Sequence, residues 1–222
     1  MTVTAGVVYE HVAFDLDGTL VDSRADLAGA VNHVLRTLGL SERPPETLYG
    51  YVGEGARMLV ERSLGAAHVD RLDVALALFM ERYAAHLLDA TRPYPGIVEV
   101  LAALEARGVA ASVLSNKPEA MSRTILEGLG LAHHFVGIVG GNSLPSRKPD
   151  PAGLDHLRGL TATSRDRTLL VGDSRIDVLT ARAANVAFCG VAWGLSPETL
   201  AAAQPGRIIE HPAELIGVVE KG

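Results

Sequence analysis

Two aspartates flanking one leucine, Asp15 and Asp17, sit inside the stretch HVAFDLDGTLVDS that runs from His11 to Ser23. The residues before them, Val12-Ala13-Phe14, have the apolar, β-branched character of a buried strand. Carboxylates at the end of such a strand are costly unless a cation, a proton or a substrate compensates them. The pair therefore reads as a metal and general acid/base site. Gly18 and Thr19 then turn the chain sharply, although an Asp-Gly dipeptide also closes ordinary turns that carry no chemistry. Three later segments favour chemistry: Leu114-Ser115-Asn116-Lys117-Pro118, Arg147-Lys148-Pro149-Asp150-Pro151 and Val171-Gly172-Asp173-Ser174.

Bringing these segments together requires a sheet whose strands end along one edge. After Asp22-Ser23, the apolar residues Leu27, Val31, Val34, Leu35 and Leu38 recur at helical spacing up to Gly39. Pro44-Pro45 breaks the chain, Met58, Leu59 and Leu64 mark a short second helix, and Leu72 to Leu87 carries a longer one. Residues 22–92 thus read as all-helical. The segment Thr91 to Gly96, with two prolines and a glycine, reads as a stiff linker with one flexible joint. From Gly96 onward helices alternate with short strands, at Val109 to Leu114, Phe135 to Val139, Thr168 to Val171 and Val186 to Val191, before a last strand-helix pair around Ile208 to Val219. That alternation implies right-handed crossovers and a parallel sheet covered on both faces. Far more chain separates the first strand from the second than one crossover needs. The expected fold is α/β: a doubly wound, Rossmann-like parallel sheet built from residues 1–21 and 93–222, with residues 22–92 inserted as an α-helical cap.

In such a sheet Asp15, Asp17, Ser115, Lys148 and Asp173 converge at the carboxyl ends of the strands, where ligands bind. The set suits a phosphate. Mg²⁺ is typically held by one or two carboxylates together with substrate phosphate and water, and Asp15 with Asp173 supplies them. An aspartate that attacks an anionic phosphoryl group needs positive charge beside it, which the ion and Lys148 provide. The Ser115 hydroxyl and neighbouring backbone N–H groups can cradle phosphate oxygens.

FDLDGTLVDS, LSNK, the lysine of SRKPDP and VGDSRID, in that order, resemble the four motifs of the haloacid dehalogenase superfamily, in particular its phosphatases with a helical cap. The resemblance spans nearly the whole chain. It implies that Asp15 attacks phosphorus to form an aspartyl-phosphate and that Asp17 protonates the leaving alcohol and then deprotonates the hydrolytic water. It also implies that Ser115 and Lys148 neutralise the phosphoryl group, with Gly18 and Asn116 in the same phosphate-binding cradle. Mg²⁺ would be held by Asp15, the backbone carbonyl of Asp17, and Asp173, with Asp177 as a further carboxylate. An aspartate at position 17 suits phosphate esters rather than dehalogenation.

A looser resemblance, carried by Leu114 to Pro118, by Gly140 to Pro145 and by Gly50 to Leu59, is to phosphoglycolate phosphatases. It makes 2-phosphoglycolate the leading substrate. The alternatives are a sugar phosphate such as N-acetylmuramate 6-phosphate, pyrophosphate, and, outside enzymes, a non-catalytic phosphate-binding protein. Specificity is expected in the cap, where Gly53 and Gly55 allow close approach of a loop. Arg57, Lys117 and Arg24 are the candidate cations for a substrate carboxylate.

The chain has 222 residues, 48% of them hydrophobic, and a net charge of −6. That charge and the lack of a Lys/Arg cluster argue against a nucleic-acid partner. The single cysteine, Cys189, lies in an apolar run and reads as a small buried hydrophobe. The N-terminal MTVTAGVVYEHV has neither a basic start nor a long apolar stretch, so a cytoplasmic protein without a membrane partner is expected, as monomer or homodimer. His133-His134 reads as a helix end rather than a metal pair, and Trp193 as a packing residue.

Overall fold

A computed structural model of the chain describes residues 8–53, 55–195 and 197–221. Residues 1–7 of the stretch read for a leader, and Glu54 of the cap loop, lie outside the described residues. In chain order the elements are β1 (His11–Phe14), β2 (Val21–Asp22), α1 (Arg24–Thr37), α2 (Pro45–Tyr49), α3 (Ala56–Leu64), α4 (Leu72–Ala85) and β3 (Arg92–Pro93). They continue as α5 (Ile97–Ala106), β4 (Ala110–Leu114), α6 (Glu119–Gly128), β5 (Phe135–Val139), α7 (Ala152–Thr161) and β6 (Thr168–Gly172). The last are α8 (Arg175–Ala184), β7 (Ala187–Val191), α9 (Pro197–Ala202), β8 (Ile208–Ile209) and α10 (Glu214–Lys221).

Six strands form one parallel sheet in the order β5-β4-β1-β6-β7-β8. β1 lies between β4 and β6, with His11 opposite both Ala110 and Thr168. The chain runs outward from β1 to β5 on one side and then returns to β6 on the other, so β1 borders the topological switch point. All four residues of β1 are buried, and successive side chains serve opposite faces. Val12 and Phe14 join Val113, Leu169 and Val171 in the larger core with Leu101 and Leu104 of α5 and Val219 of α10. Ala13 joins Leu114, Val139 and Leu170 in a second core under Leu154 and Leu157 of α7 and Ala181 of α8. The sheet is covered on both faces, as the alternation of strands and helices requires. No helix of the described residues is long and apolar enough to cross a membrane.

Between β2 and β3 the chain forms α1 to α4 and a 3-10 segment, Ala66–Arg71. Two features differ from the sequence expectation. Pro44-Pro45 does not simply break the chain: Pro45 opens the short helix α2, a position where its missing N–H would be unpaired anyway. Nor is the exit linker a free joint. Val21 pairs with Pro93 and Asp22 with Arg92 as a two-stranded antiparallel ladder, so entry and exit of the helical insert are tied to each other.

Asp26 on α1 fastens the same exit. Its buried carboxylate accepts from the backbone N–H of Ala90 and Thr91 and from Thr91 Oγ1, at 2.7–3.1 Å. Asp26→Ala would leave these donors without their acceptor and should cost about 3 kcal/mol of stability, read by urea unfolding. An unchanged midpoint would show that the clasp contributes nothing.

His11 supplies a pH dependence. Its Nε2 lies 2.7 Å from Ser112 Oγ, and burial, aided by the nearby Arg158 charge, pushes its pKa down to about 4. The unfolded chain protonates this ring near pH 6.5 and the folded one near 4, so the contribution is present above pH 6.5 and is lost as the pH falls toward 4. The loss amounts to about 3 kcal/mol over that interval. His11→Gln should lose correspondingly less stability between pH 7 and pH 4.5 in parallel denaturant titrations. Equal losses in the two proteins would remove His11 from the account.

Candidate active site

Asp15 is the first residue beyond β1. Its backbone N–H continues the ladder to Val171 of β6 at 2.9 Å, which fixes the carboxylate at the carboxyl edge of the sheet. Asp173 follows β6 by one residue, and Asp177 lies in the first turn of α8, where it forms a reciprocal capping box with Ser174. One carboxylate oxygen from each of Asp15, Asp173 and Asp177 falls within 4.8 Å of the others. Lys148 Nζ stands against this group, 2.8 Å from Asp15 Oδ1 and 2.7 Å from Asp177 Oδ1.

Burial pushes the Asp15 pKa up to about 7, against the lowering effect of the Lys148 charge, and Asp177 and Asp17 push it further up. Burial likewise holds Asp173 well above the carboxylate range, reinforced by Asp177 and Asp15. Lys148 is opposed by its own burial yet remains above its ordinary range because Asp15 and Asp177 favour its charged form. A hard, oxygen-seeking divalent cation fits this donor set: three crowded carboxylates share a single ammonium.

Close packing shapes the carboxylate edge. At Gly18, with φ +82°, an added Cβ would lie 2.3 Å from Asp173 Oδ2, and at Gly194 it would lie 2.1 Å from Asp173 Cβ. Leu195 N–H donates to Asp173 Oδ2 at 2.7 Å. Trp193 Nε1 donates to Thr19 O at 3.1 Å, so the indole braces the turn after Asp17.

Ser115 follows β4, its N–H donating to Val139 O at 2.9 Å, and its hydroxyl accepts from Lys117 N–H at 3.2 Å. Asn116 Nδ2 donates to Lys148 O at 3.1 Å, joining the loop after β4 to the segment before α7. Gly141 permits this: a Cβ there would stand 2.3 Å from Asn116 O. Asp15, Asp17, Ser115, Asn116 and Lys148 all line one cavity of about 400 Å³ between the sheet edge and the helical insert. From the insert, Gly53, Gly55 and Arg57 line it together with a largely apolar wall that includes Leu59, Phe79 and Met80.

The candidate cations sort differently from the sequence reading. Lys117 is buried rather than a surface charge, with Nζ 2.6 Å from Asp17 Oδ1 and 2.6 Å from Tyr83 Oη. Arg57 reaches the cavity but pairs with Asp73 at 2.7 Å. Arg24 is bound to Asp22 at 2.6 Å and stacks over Tyr49. Arg147, which sequence reasoning passed over, lines the cavity and makes no ion pair or side-chain hydrogen bond with the described residues. Ser23 and Tyr83 were also missed. Ser23, just before α1, donates its Oγ–H to Asp17 Oδ1 at 2.5 Å. The hydroxyl of Tyr83 on an otherwise apolar helix stripe was the available signal. His133 and His134 occupy a short 3-10 turn before β5, where His134 meets Glu105 at 3.1 Å.

A strand-end aspartate pair, a lysine on the first carboxylate, and two further carboxylates beside it define a hydrolase site at a parallel-sheet switch point. Residues 12–191 match the family model of haloacid dehalogenase-like hydrolases, and the chain belongs to that family. It is similar to a phosphoglycolate phosphatase of Mesorhizobium japonicum, 37% identical over 90% of each chain. It is also similar to one of Rhodospirillum rubrum, 42% identical over 86% of this chain and 82% of the relative. A crystal structure of a predicted phosphoglycolate phosphatase from Haemophilus somnus superposes with a TM-score of 0.87 at 30% identity, covering 95% of this chain and 97% of the other. Within the family the chain is a phosphatase, similar to the phosphoglycolate phosphatases.

Proposed function

We propose that the protein hydrolyses a small phosphate monoester, 2-phosphoglycolate before others, with Mg²⁺ and through an aspartyl-phosphate on Asp15. The observation that carries this reading is Lys148 Nζ at 2.8 Å from Asp15 Oδ1, with Asp173 and Asp177 beside it, at the floor of a cavity large enough for a metabolite. Asp15, Asp173 and the backbone carbonyl of Asp17 would hold Mg²⁺, with Asp177 behind them. When bound, the ion supplies positive charge to the carboxylates and to phosphate oxygens.

In this reading an Asp15 oxygen forms a bond to phosphorus as the bond to the ester oxygen breaks. Asp17 gives that oxygen a proton, then takes one from the water that cleaves the acyl phosphate. Ser115, Asn116 and Lys148 hold the phosphate oxygens, and the backbone at Gly18 keeps the turn open for them. Residues 22–92 act as a cap over a core of 1–21 and 93–222, excluding competing water. The names of the relatives favour a carboxylate-bearing substrate, for which Arg147 and Arg57 are placed at the cavity. A second reading, a sugar phosphate, is favoured by the size and apolar wall of the cavity, which exceed the needs of a two-carbon acid.

The test is phosphate release from 2-phosphoglycolate, sugar phosphates including N-acetylmuramate 6-phosphate, and pyrophosphate, each with Mg²⁺ and with chelator. A preference for phosphoglycolate of about tenfold in kcat/KM, or about 1.4 kcal/mol, with no turnover under chelation, is expected. A sugar phosphate in front would move the substrate to the second reading. Full activity under chelation would remove the metal.

A further inference from the structure

We propose that Lys117 and Tyr83 form a positioning pair that holds Asp17 in its working orientation only while the helical insert is docked. This rests on the reading of Asp17 as the proton-transfer group. Lys117 belongs to the sheet side of the cavity, in the loop after β4, whereas Tyr83 belongs to α4 of the insert. Lys117 Nζ bonds both Asp17 Oδ1 and Tyr83 Oη at 2.6 Å and lies 4.8 Å from the Tyr83 ring centroid. Its side chain is only 5% exposed. A buried ammonium is tolerated where partners replace its water, and here one partner is the acid and the other is the insert.

The bonds on Asp17 are asymmetric. Oδ1 accepts from Lys117 and, at 2.5 Å, from Ser23 Oγ at the start of α1. No described residue donates to Oδ2, which is left to carry and release the exchanging proton. In the first chemical step the Oδ2–H bond breaks and the proton passes to the oxygen departing from phosphorus, which keeps the electron pair of the broken P–O bond. Lys117 keeps its own protons throughout and faces the carboxylate that results. With its charge engaged in this way, it is a positioning residue rather than the anchor of a substrate carboxylate.

The dependence on docking follows from Tyr83. Its ring is buried and stacks on Phe79 of the same helix, with centroids 5.5 Å apart, so it moves with α4. Withdrawing α4 removes the hydroxyl and the ring face from Lys117 and admits water to the ammonium. Water then competes for the bonds that fix Asp17. Proton transfer is thereby coupled to the closed arrangement, in which the alkoxide can be protonated before the product escapes.

Leaving groups separate positioning of an acid from general damage. With Mg²⁺ present, kcat/KM is measured for aryl monophosphates graded from phenyl to 2,4-dinitrophenyl, on the parent, Tyr83→Phe, Lys117→Met and, as reference, Asp17→Asn. A phenolate as good as dinitrophenolate departs without protonation, so its rate reports an intact site. We expect Lys117→Met to lose roughly 10²-fold on phenyl phosphate, Tyr83→Phe about tenfold, and both less than about threefold on the dinitrophenyl ester. Uniform losses across the series, or no loss, in both variants while Asp17→Asn shows the graded loss would overturn the pairing alone. If Asp17→Asn shows no graded loss, the acid role fails and the pairing falls with it.

Discussion

Asp15→Asn should abolish phosphate release, lowering kcat/KM by roughly 10⁴-fold or more, equivalent to about 5 kcal/mol of transition-state stabilisation. The amide keeps the shape and can still accept the bond that Leu16 N–H makes to Asp15 Oδ1 at 2.7 Å. It lacks the carboxylate that the proposed attack needs. The fold should survive. Lys148 retains Asp177 at 2.7 Å, and one charge is removed from a cluster of three buried carboxylates, which relieves like-charge repulsion. Thermal unfolding without metal should therefore be no lower than in the parent. Turnover within tenfold of the parent would eliminate the covalent route on Asp15.

Lys148→Met should damage both stability and turnover. Methionine fits the buried volume but leaves Asp15 and Asp177 without the ammonium that now sits 2.8 and 2.7 Å from them. Removing one partner of a buried ion pair costs about 3–5 kcal/mol, which for a chain of this size lowers Tm by about 10 °C. If the carboxylates hold Mg²⁺, saturating metal should recover more of the lost Tm in this variant than it adds to the parent. Loss of the charge opposite the phosphoryl group should also lower kcat/KM by roughly 10²-fold. A variant that melts with the parent would show that the three carboxylates do not depend on Lys148.

The contrast between these two positions and Lys117 shows what a sequence can disclose. Val12-Ala13-Phe14 followed at once by Asp15 is a local signal: a buried apolar run stops at a charge, and a strand end with chemistry follows. The alternation of helices with short strands after Gly96 was local too, and it sufficed for the parallel sheet, though not for the strand order that puts β1 between β4 and β6. Lys117 stands in the motif LSNK, yet nothing local there discloses its burial or its role, because lysine is rarely buried and its partners lie 100 and 34 residues away in sequence. Its reading as a candidate for the substrate's carboxylate came from charge alone, and the structure gives that charge to Asp17. The ladder between Val21-Asp22 and Arg92-Pro93 was equally hidden, since two-residue strands have no periodicity to read. Pro45 misled for a different reason: proline stops a helix from within but suits its first turn.

That small ladder has a consequence for how the chain can change over time. It sets the two ends of the helical insert side by side, Val21 against Pro93 and Asp22 against Arg92. An insert whose ends are neighbours imposes no span on the sheet that carries it. Helices can lengthen, shorten or be exchanged within it while β1, β4 and β6 keep their register and the carboxylates stay in place. The segment can therefore be rewritten in length without moving the strand-end carboxylates, within the limit set by Tyr83, whose hydroxyl has to stay against Lys117.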